Sequence, residues 1–284
     1  MSEIEVLRAG ALTTVQDLGR PGWAHLGVPR SGALDPDAMR LANRLVGNPE
    51  SAAGLEITMT GCELRPTRAT TVAVVGAEVD VRVGARPGDT GRPLAVPAGA
   101  VLRIGPARRG LRCWLAVAGG IAVDPVLGSR ATDTLAGLGP APLRDGDRLP
   151  LGVPAGPPAP VDVTVPVAHP AQLHLTARLG PRHDWFDTVA FDLLYSSAYT
   201  VSPLSNRVGA RLTGAPLPRT VPGELPSEGV VLGAVQVPAD GQPLIFLADH
   251  PTTGGYPVIA VVDDVTPLAQ ARPGTTVRFH GPQR

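Results

Sequence analysis

Residues 229–262 read GVVLGAVQVPADGQPLIFLADHPTTGGYPVIAVV, and this stretch decides the fold class. It holds three short apolar, β-branched runs, 229–237, 244–248 and 258–262. Between them stand the turn residues Pro238-Ala239-Asp240-Gly241 and a polar segment, 249–256. Runs of the same kind recur at 71–75, 79–83, 112–117 and 275–279, separated by Gly, Pro and Asp at spacings typical of a barrel or sandwich. The chain is therefore expected to be mainly β. A few short helices interrupt it. Asp35 is a good N-cap with Pro36 at the first helical position, and Ala38, Leu41, Ala42, Leu45 and Val46 repeat at helical spacing until Gly47-Asn48. A weaker helix is expected over 184–195, with Trp185, Val189 and Leu193 on one face, and a short third one at Thr266-Pro267.

The proline cluster at 150–170, PLGVPAGPPAPVDVTVPVAHP, has no helical period and marks the best boundary. It gives a β-rich half over 1–152, a linker over 153–170 and a second β-rich half over 171–284.

Composition excludes several functions. Acidic and basic residues balance at 25 each, so no net field draws nucleic acid or an anionic membrane, and neither partner is expected. All 25 basic residues are arginine. A chain without lysine has no Schiff-base lysine, no Walker A lysine and no attachment point for biotin or lipoate. Cys62 and Cys113 lie in or beside apolar runs with no CxxC, as buried thiols of a reducing compartment do. The start, MSEIE, lacks an apolar signal region, and the longest apolar run, 114–123, is too short to span a bilayer. A cytoplasmic location is expected.

Three polar clusters stand out. The first, TVQDLGRPG at 14–22 followed by GVPRSGALD at 27–35, mixes Gln16, Asp17, Arg20, Ser31 and Asp35 with four glycines. Glycine-spaced polar residues of this kind suit a loop whose backbone N–H groups and side chains approach a small polar ligand. The second is DHPTTGGY at 249–256, where Thr252, Thr253, Gly254 and Gly255 offer donors for an oxyanion, Tyr256 follows, and Asp249 is available as base or clamp. A turn-rich hairpin connection explains it equally well. The third, SPLSNRVGARL at 202–212, holds Ser205 with Arg207 and Arg211 four apart, a spacing that places both guanidinium groups on one face for an anion, or on a solvated surface. Glu228 and Gln236 are further polar candidates. None of the six histidines falls in a metal pattern, and no GxSxG elbow is present.

Taken together, TVQDLGRPG, GVPRSGALD, LANRLVGN, LAVAGGI with VLGSRAT, SNRVGARL, SEGVVLGAVQVPADGQPL, TTGGYPVIA and LAQARPG resemble the biotin-dependent carboxyltransferase family, from Leu12 to Phe279. This group includes the C-type subunit of 5-oxoprolinase, allophanate hydrolase subunit 2 and KipA-type kinase-antagonist partners. The resemblance implies a cyclophilin-like β-barrel architecture with two barrel-like halves. It implies a KipI-like protein, or the equivalent B-type protein of 5-oxoprolinases, as partner, with an A-type protein joining in 5-oxoprolinases. It implies an ATP-dependent hydrolase subunit opening 5-oxo-L-proline to L-glutamate, with ATP held by the complex. The alternatives are a carboxyltransferase or amidolyase component that acts on urea-like amides, with biotin carried by another chain, and a non-catalytic regulatory partner. By resemblance, Asp249, Asp17, Thr252 and Thr253 are catalytic. Gln16, Arg20, Ser31, Asp35, Ser205, Arg207, Arg211, Glu228, Gln236, Gly254, Gly255 and Tyr256 bind a small polar amide or lactam. Two departures from the family pattern stand in these motifs: His250-Pro251 in place of Arg-Gln, and Val208 and Ala210 in place of Met and an aromatic.

Overall fold

The structure, a computed structural model, describes residues 2–157, 169–223 and 225–282. It divides into two compact units, the first containing residues up to 20 together with 31–169, the second residues 21–30 and those from 170 onward. Residues 21–30, which a linear division at 153–170 assigns to the first half, thus pack with the second unit. They contain a one-turn 3-10 helix, Ala24–Leu26, ended by Gly27 at φ +76. A side chain at Gly27 would begin 4.0 Å from the Thr252 hydroxyl. Residues 158–168 of the expected linker lie outside the described residues.

The mainly β expectation is borne out. In the first unit one sheet runs in the order Arg148–Pro150, Glu3–Arg8, Cys62–Pro66, Leu102–Ile104, Val81–Val83, Arg86–Gly88. A second runs Leu12–Gln16, Gly54–Thr58, Arg109–Val117, Thr70–Glu78, Leu94–Val96. Alternation along each strand sends Ile4, Val6, Leu64, Leu102 and Ile104 from one sheet and Leu55, Ile57, Val72, Val74 and Leu115 from the other into a shared core. Each such side chain, fully buried, stabilises by roughly 1.5–3 kcal/mol. Cys62 and Cys113 belong to this core, free and buried. Burial pushes both thiols up, Cys113 to about 12, so neither is a nucleophile.

The strand Arg109–Val117 is buried along almost its whole length, because its second face is covered as well. The helix Pro36–Leu45 packs there against Arg109–Val117 and Thr70–Glu78, burying Ala38, Met39, Ala42 and Leu45. Asp35 caps it, its carboxylate accepting from the Ala38 N–H at 2.9 Å. The first unit's strands remain two sheets, and with the outer face occupied by this helix they bury their apolar positions without ring closure.

The second unit does close. Seven strands run in the order Gln172–Leu179, Val258–Val262, Ala234–Gln236, Leu244–Phe246, Gly209–Thr213, Tyr199–Val201, Thr276–His280. The ring is completed by a parallel pairing in which Leu173 stands beside Val277 and Leu175 beside Phe279. Leu173, Leu175 and Ala177 point inward while His174, Thr176 and Arg178 point out. Closure leaves no free strand edge within the ring. The expected helix over 184–195 is a 3-10 turn, His183–Trp185, followed by an α-helix, Thr188–Ser196, capped by Asp187. Its buried face carries Ala190 and Leu194, whereas Val189 is 54% exposed, a correction to the expected Trp185–Val189–Leu193 face. The 3-10 turn breaks the α-helical register that this face assumed. The third expected helix is a 3-10 turn, Thr266–Gln270. No helix among the described residues is long and apolar enough to cross a membrane.

Candidate functional site

Each unit holds a centre of buried polar groups. In the second unit, Arg207 and Asp249 are 1% and 0% exposed and face each other bidentately, Nε to Oδ2 at 2.9 Å and Nη2 to Oδ1 at 3.0 Å. The Asp249 N–H also donates to the Arg207 carbonyl at 3.0 Å, locking the two segments together. A carboxylate with both oxygens engaged by a guanidinium is better suited to holding a loop and an arginine in place than to accepting a proton. The loop it holds is the one that follows it. There His250 Nδ1 lies 2.6 Å from the Pro251 carbonyl, and the ring lies 5.8 Å from that of Phe246. A histidine paired with its own turn and an aromatic thus occupies the position of the missing cation.

Beyond the turn, Thr252–Tyr256 reaches the surface, with Thr253 and Tyr256 exposed. Thr253–Gly254 forms a two-strand ribbon with Glu228–Gly229, which sets Glu228 beside Gly254. Glu228 pairs through both carboxylate oxygens with Arg182. That hydrogen bonding holds its carboxyl below the usual range and raises the Arg182 guanidinium in turn. Gln236 donates from Nε2 to the Tyr256 carbonyl at 3.1 Å. Gly254 is required for this approach, since a Cβ there would lie 2.6 Å from Gln236 Nε2. The fold thus brings Glu228, Gln236, Thr252, Thr253, Gly254, Gly255 and Tyr256 into one neighbourhood, on the loop anchored by Arg207–Asp249.

It does not bring Arg211 there. Arg207 precedes the strand Gly209–Thr213, so the strand's two-residue period does not relate it to Arg211. Arg211 points outward, lining an open cleft of about 170 Å³ with Ser202, Thr213 and Gln242. The expected two-arginine clamp is corrected accordingly. Ser205 serves this strand's edge, accepting from the Arg211 N–H at 3.0 Å.

The first unit gathers Gln16, Asp17, Arg20 and Ser31 around residues 126–133. Asp17 accepts from the Gly19 N–H at 2.8 Å, the Ser129 hydroxyl at 2.6 Å and the Arg130 N–H at 2.6 Å. This is the bonding of a loop staple. Arg20, 1% exposed, donates to the carbonyls of Val126 and Ala131. Gln16 Nε2 and Ser31 Oγ both donate to the Thr132 carbonyl, each at 3.0 Å. Asp35 is occupied as the helix cap.

Sequence reasoning missed Arg182, which no spacing announces, and singled out neither Thr132, the last residue of the VLGSRAT motif, nor Asp133. It also missed Glu56, a buried acid within the apolar run GLEIT. Glu56 accepts from the Leu34 N–H at 2.9 Å and the Trp114 indole at 3.1 Å, with Arg112 Nε 3.6 Å away. An acid inside a strand run was the available signal.

The fold is thus a mainly β chain with one closed seven-strand barrel and further sheets. The chain belongs to the carboxyltransferase domain family, subdomains A and B, which it matches over residues 26–281. It is similar to the C-type subunit of 5-oxoprolinase from Escherichia coli (strain K12), 39% identical over 285 residues that cover 97% of this chain and 90% of that protein. Among solved structures, TTHA0988 superposes with a TM-score of 0.87 at 38% identity, over 99% of this chain and 55% of that one. The urea amidolyase of K. lactis superposes with a TM-score of 0.91 at 31% identity, over 99% of this chain and 19% of that one. The chain therefore spans about half of the first solved chain and about a fifth of the second.

Proposed function

We propose that this chain is the C-type subunit of an ATP-dependent 5-oxoprolinase, working with B-type and A-type partners. The observation that supports this reading most is the 39% identity to the Escherichia coli C-type protein across nearly the full length of both chains. In the overall reaction, ATP phosphorylates the lactam oxygen, water attacks the activated carbon, the C–N bond breaks, and glutamate, ADP and phosphate leave. This chain has no lysine for a Walker A loop, so ATP is held in the complex by other means or by another subunit. The hydroxyls and backbone N–H groups of Thr252–Gly255 would stabilise the oxyanion, with Glu228 and Arg182 as the charged groups beside them. Arg207 and Asp249 would be positioning residues for this segment.

The test is ADP and glutamate release on adding 5-oxo-L-proline to the co-purified subunits, with and without this chain. Substrate-stimulated ADP that requires the chain supports the reading; release that is the same without it overturns it. The similarity to K. lactis urea amidolyase favours a second reading, in which the chain transfers a carboxyl group to a urea-like amide from biotin borne by another chain. A stable, lactam-inactive complex that carboxylates urea would favour it.

A further inference from the structure

The second unit holds a cleft that no residue of the Thr252–Tyr256 loop lines. One wall is the segment 214–222, GAPLPRTVP, which forms no strand yet is pinned at two points. The Leu217 N–H donates to the Gly241 carbonyl and the Thr220 N–H to the Trp185 carbonyl, each at 2.9 Å. Gly241, at φ +74, permits the first contact, because a Cβ there would stand 2.9 Å from the Pro216 Cβ. Three prolines, each with its φ fixed by the ring, remove freedom from the rest of the segment.

This segment, the helix Thr188–Ser196 and the turn at 238–241 enclose an open cleft of about 400 Å³, whose lining includes Leu193, Pro216, Pro218, Val221, Arg219 and Asp240. Sites for small molecules measure roughly 300–1,000 Å³ and are mostly apolar with a few placed polar groups. The cleft beside Arg211, at about 170 Å³, falls below that range. Arg219 is half-buried, its Nη1 is shielded from solvent, and it makes no hydrogen bond or ion pair with any described residue. Arg178, Arg182 and Arg207 of the same unit each meet a carboxylate. A guanidinium drawn against apolar surface without a partner keeps an unmet demand for an anion. Asp240 lines the same cleft. Its Oδ1 accepts from the Gln242 N–H at 3.0 Å, and its second oxygen has no partner among the described residues. Two opposite charges thus line one cleft without pairing with each other.

We infer that this cleft binds a free amino acid with an aliphatic side chain. The Arg219 guanidinium takes the carboxylate through charge-assisted hydrogen bonds, Asp240 takes the ammonium group, and Leu193, Pro216, Pro218 and Val221 cover the side chain. Opposite charges on one small lining select a zwitterion. A plain carboxylate of the same shape would be repelled by Asp240, and a plain amine by Arg219. The pinned wall lowers the ordering cost of binding. None of these residues has a part in the proposed lactam opening, so the inference stands or falls apart from that reading.

The test is isothermal titration of L-leucine into the full chain, beside isocaproate, the same skeleton without the ammonium group, and isopentylamine, the same skeleton without the carboxylate. L-leucine is expected to bind about tenfold more tightly than either. Arg219→Gln and Asp240→Asn should each weaken L-leucine about tenfold. Thermal denaturation checks that both variants fold. Asp240→Asn keeps the oxygen that accepts from the Gln242 N–H, and Arg219→Gln removes a shielded nitrogen that has no partner, so neither should melt below the wild type. A wild type that does not bind L-leucine would overturn the inference, as would an affinity unchanged in both folded variants. Isocaproate binding as tightly as L-leucine would overturn it too, because Asp240 would then contribute nothing to recognition.

Discussion

Arg20 in the first unit and Arg207 in the second are equally buried, yet the protein treats them in opposite ways. Arg207 is closed by a carboxylate that matches its fork, and its partner's backbone is tied to its own. Among the described residues, Arg20 meets only backbone carbonyls and keeps one terminal nitrogen without a partner. A complete pair is a fixed anchor, and its strength appears only when it is broken. An incomplete one is poor for stability, because its open valence is buried without a partner.

The largest effect follows from breaking the complete pair. From sequence, Asp249→Asn is expected to remove turnover while leaving the fold intact. The structure corrects this, because the substitution strands a buried Arg207 charge, at a cost of about 3–5 kcal/mol. Urea denaturation would show it as a large drop in midpoint. The double variant Arg207→Met, Asp249→Leu should recover most of the loss, since it removes both charges. An Asp249→Asn midpoint equal to wild type would end the distinction between the two arginines.

Arg20→Met sharpens the same comparison. It gives up two bonds to carbonyls and strands no carboxylate, so its cost should be about 1–3 kcal/mol, below that of Arg207→Met alone. Equal midpoints for the two methionine variants would mean that Arg20 has a hidden partner of equal weight. A smaller loss, about 0.5–2 kcal/mol, is expected for Asp35→Ala, which removes the cap of the helix Pro36–Leu45. Its measure is the denaturation midpoint, with Asp35→Asn as the variant that restores the cap.

The sequence made some of this visible and hid the rest for physical reasons. Asp35-Pro36 announces its helix because capping is local, and the short apolar runs announce strands because the two-residue period is local too. Ring closure is not local. It depends on Gln172–Leu179 meeting Thr276–His280 in parallel across about a hundred residues, and nothing in either strand names the other. The same limit explains the arginines: a spacing of four relates Arg207 to Arg211 only if one element holds both, and Arg207 stands outside the strand. The family motifs did point to the polar segments that the fold assembles around Thr252–Tyr256. They did not distinguish Asp17, a staple, from Gln16 and Arg20, because which atoms remain unpaired is decided by the 126–133 loop more than a hundred residues away.

The smallest effect belongs to the half-buried pair, Arg182 with Glu228. Hydrogen bonding from Arg182 lowers the Glu228 carboxyl below its ordinary 4.5, so this group binds a proton less readily folded than unfolded. Its contribution to stability is therefore present above the unfolded value and is lost as pH falls through the folded one. Solvent screens both side chains, and the denaturation midpoint of Glu228→Gln near neutral pH should match the wild type. The titration is the sharper readout. A carboxyl-carbon NMR titration should place the Glu228 midpoint below 4.5 and return it toward that value in Arg182→Gln. A Glu228 midpoint unmoved by Arg182→Gln would mean that the ion pair is not what holds the carboxyl, and that the ribbon with Thr253–Gly254 orients it instead. That outcome would leave the Arg182 guanidinium free to turn away from Glu228.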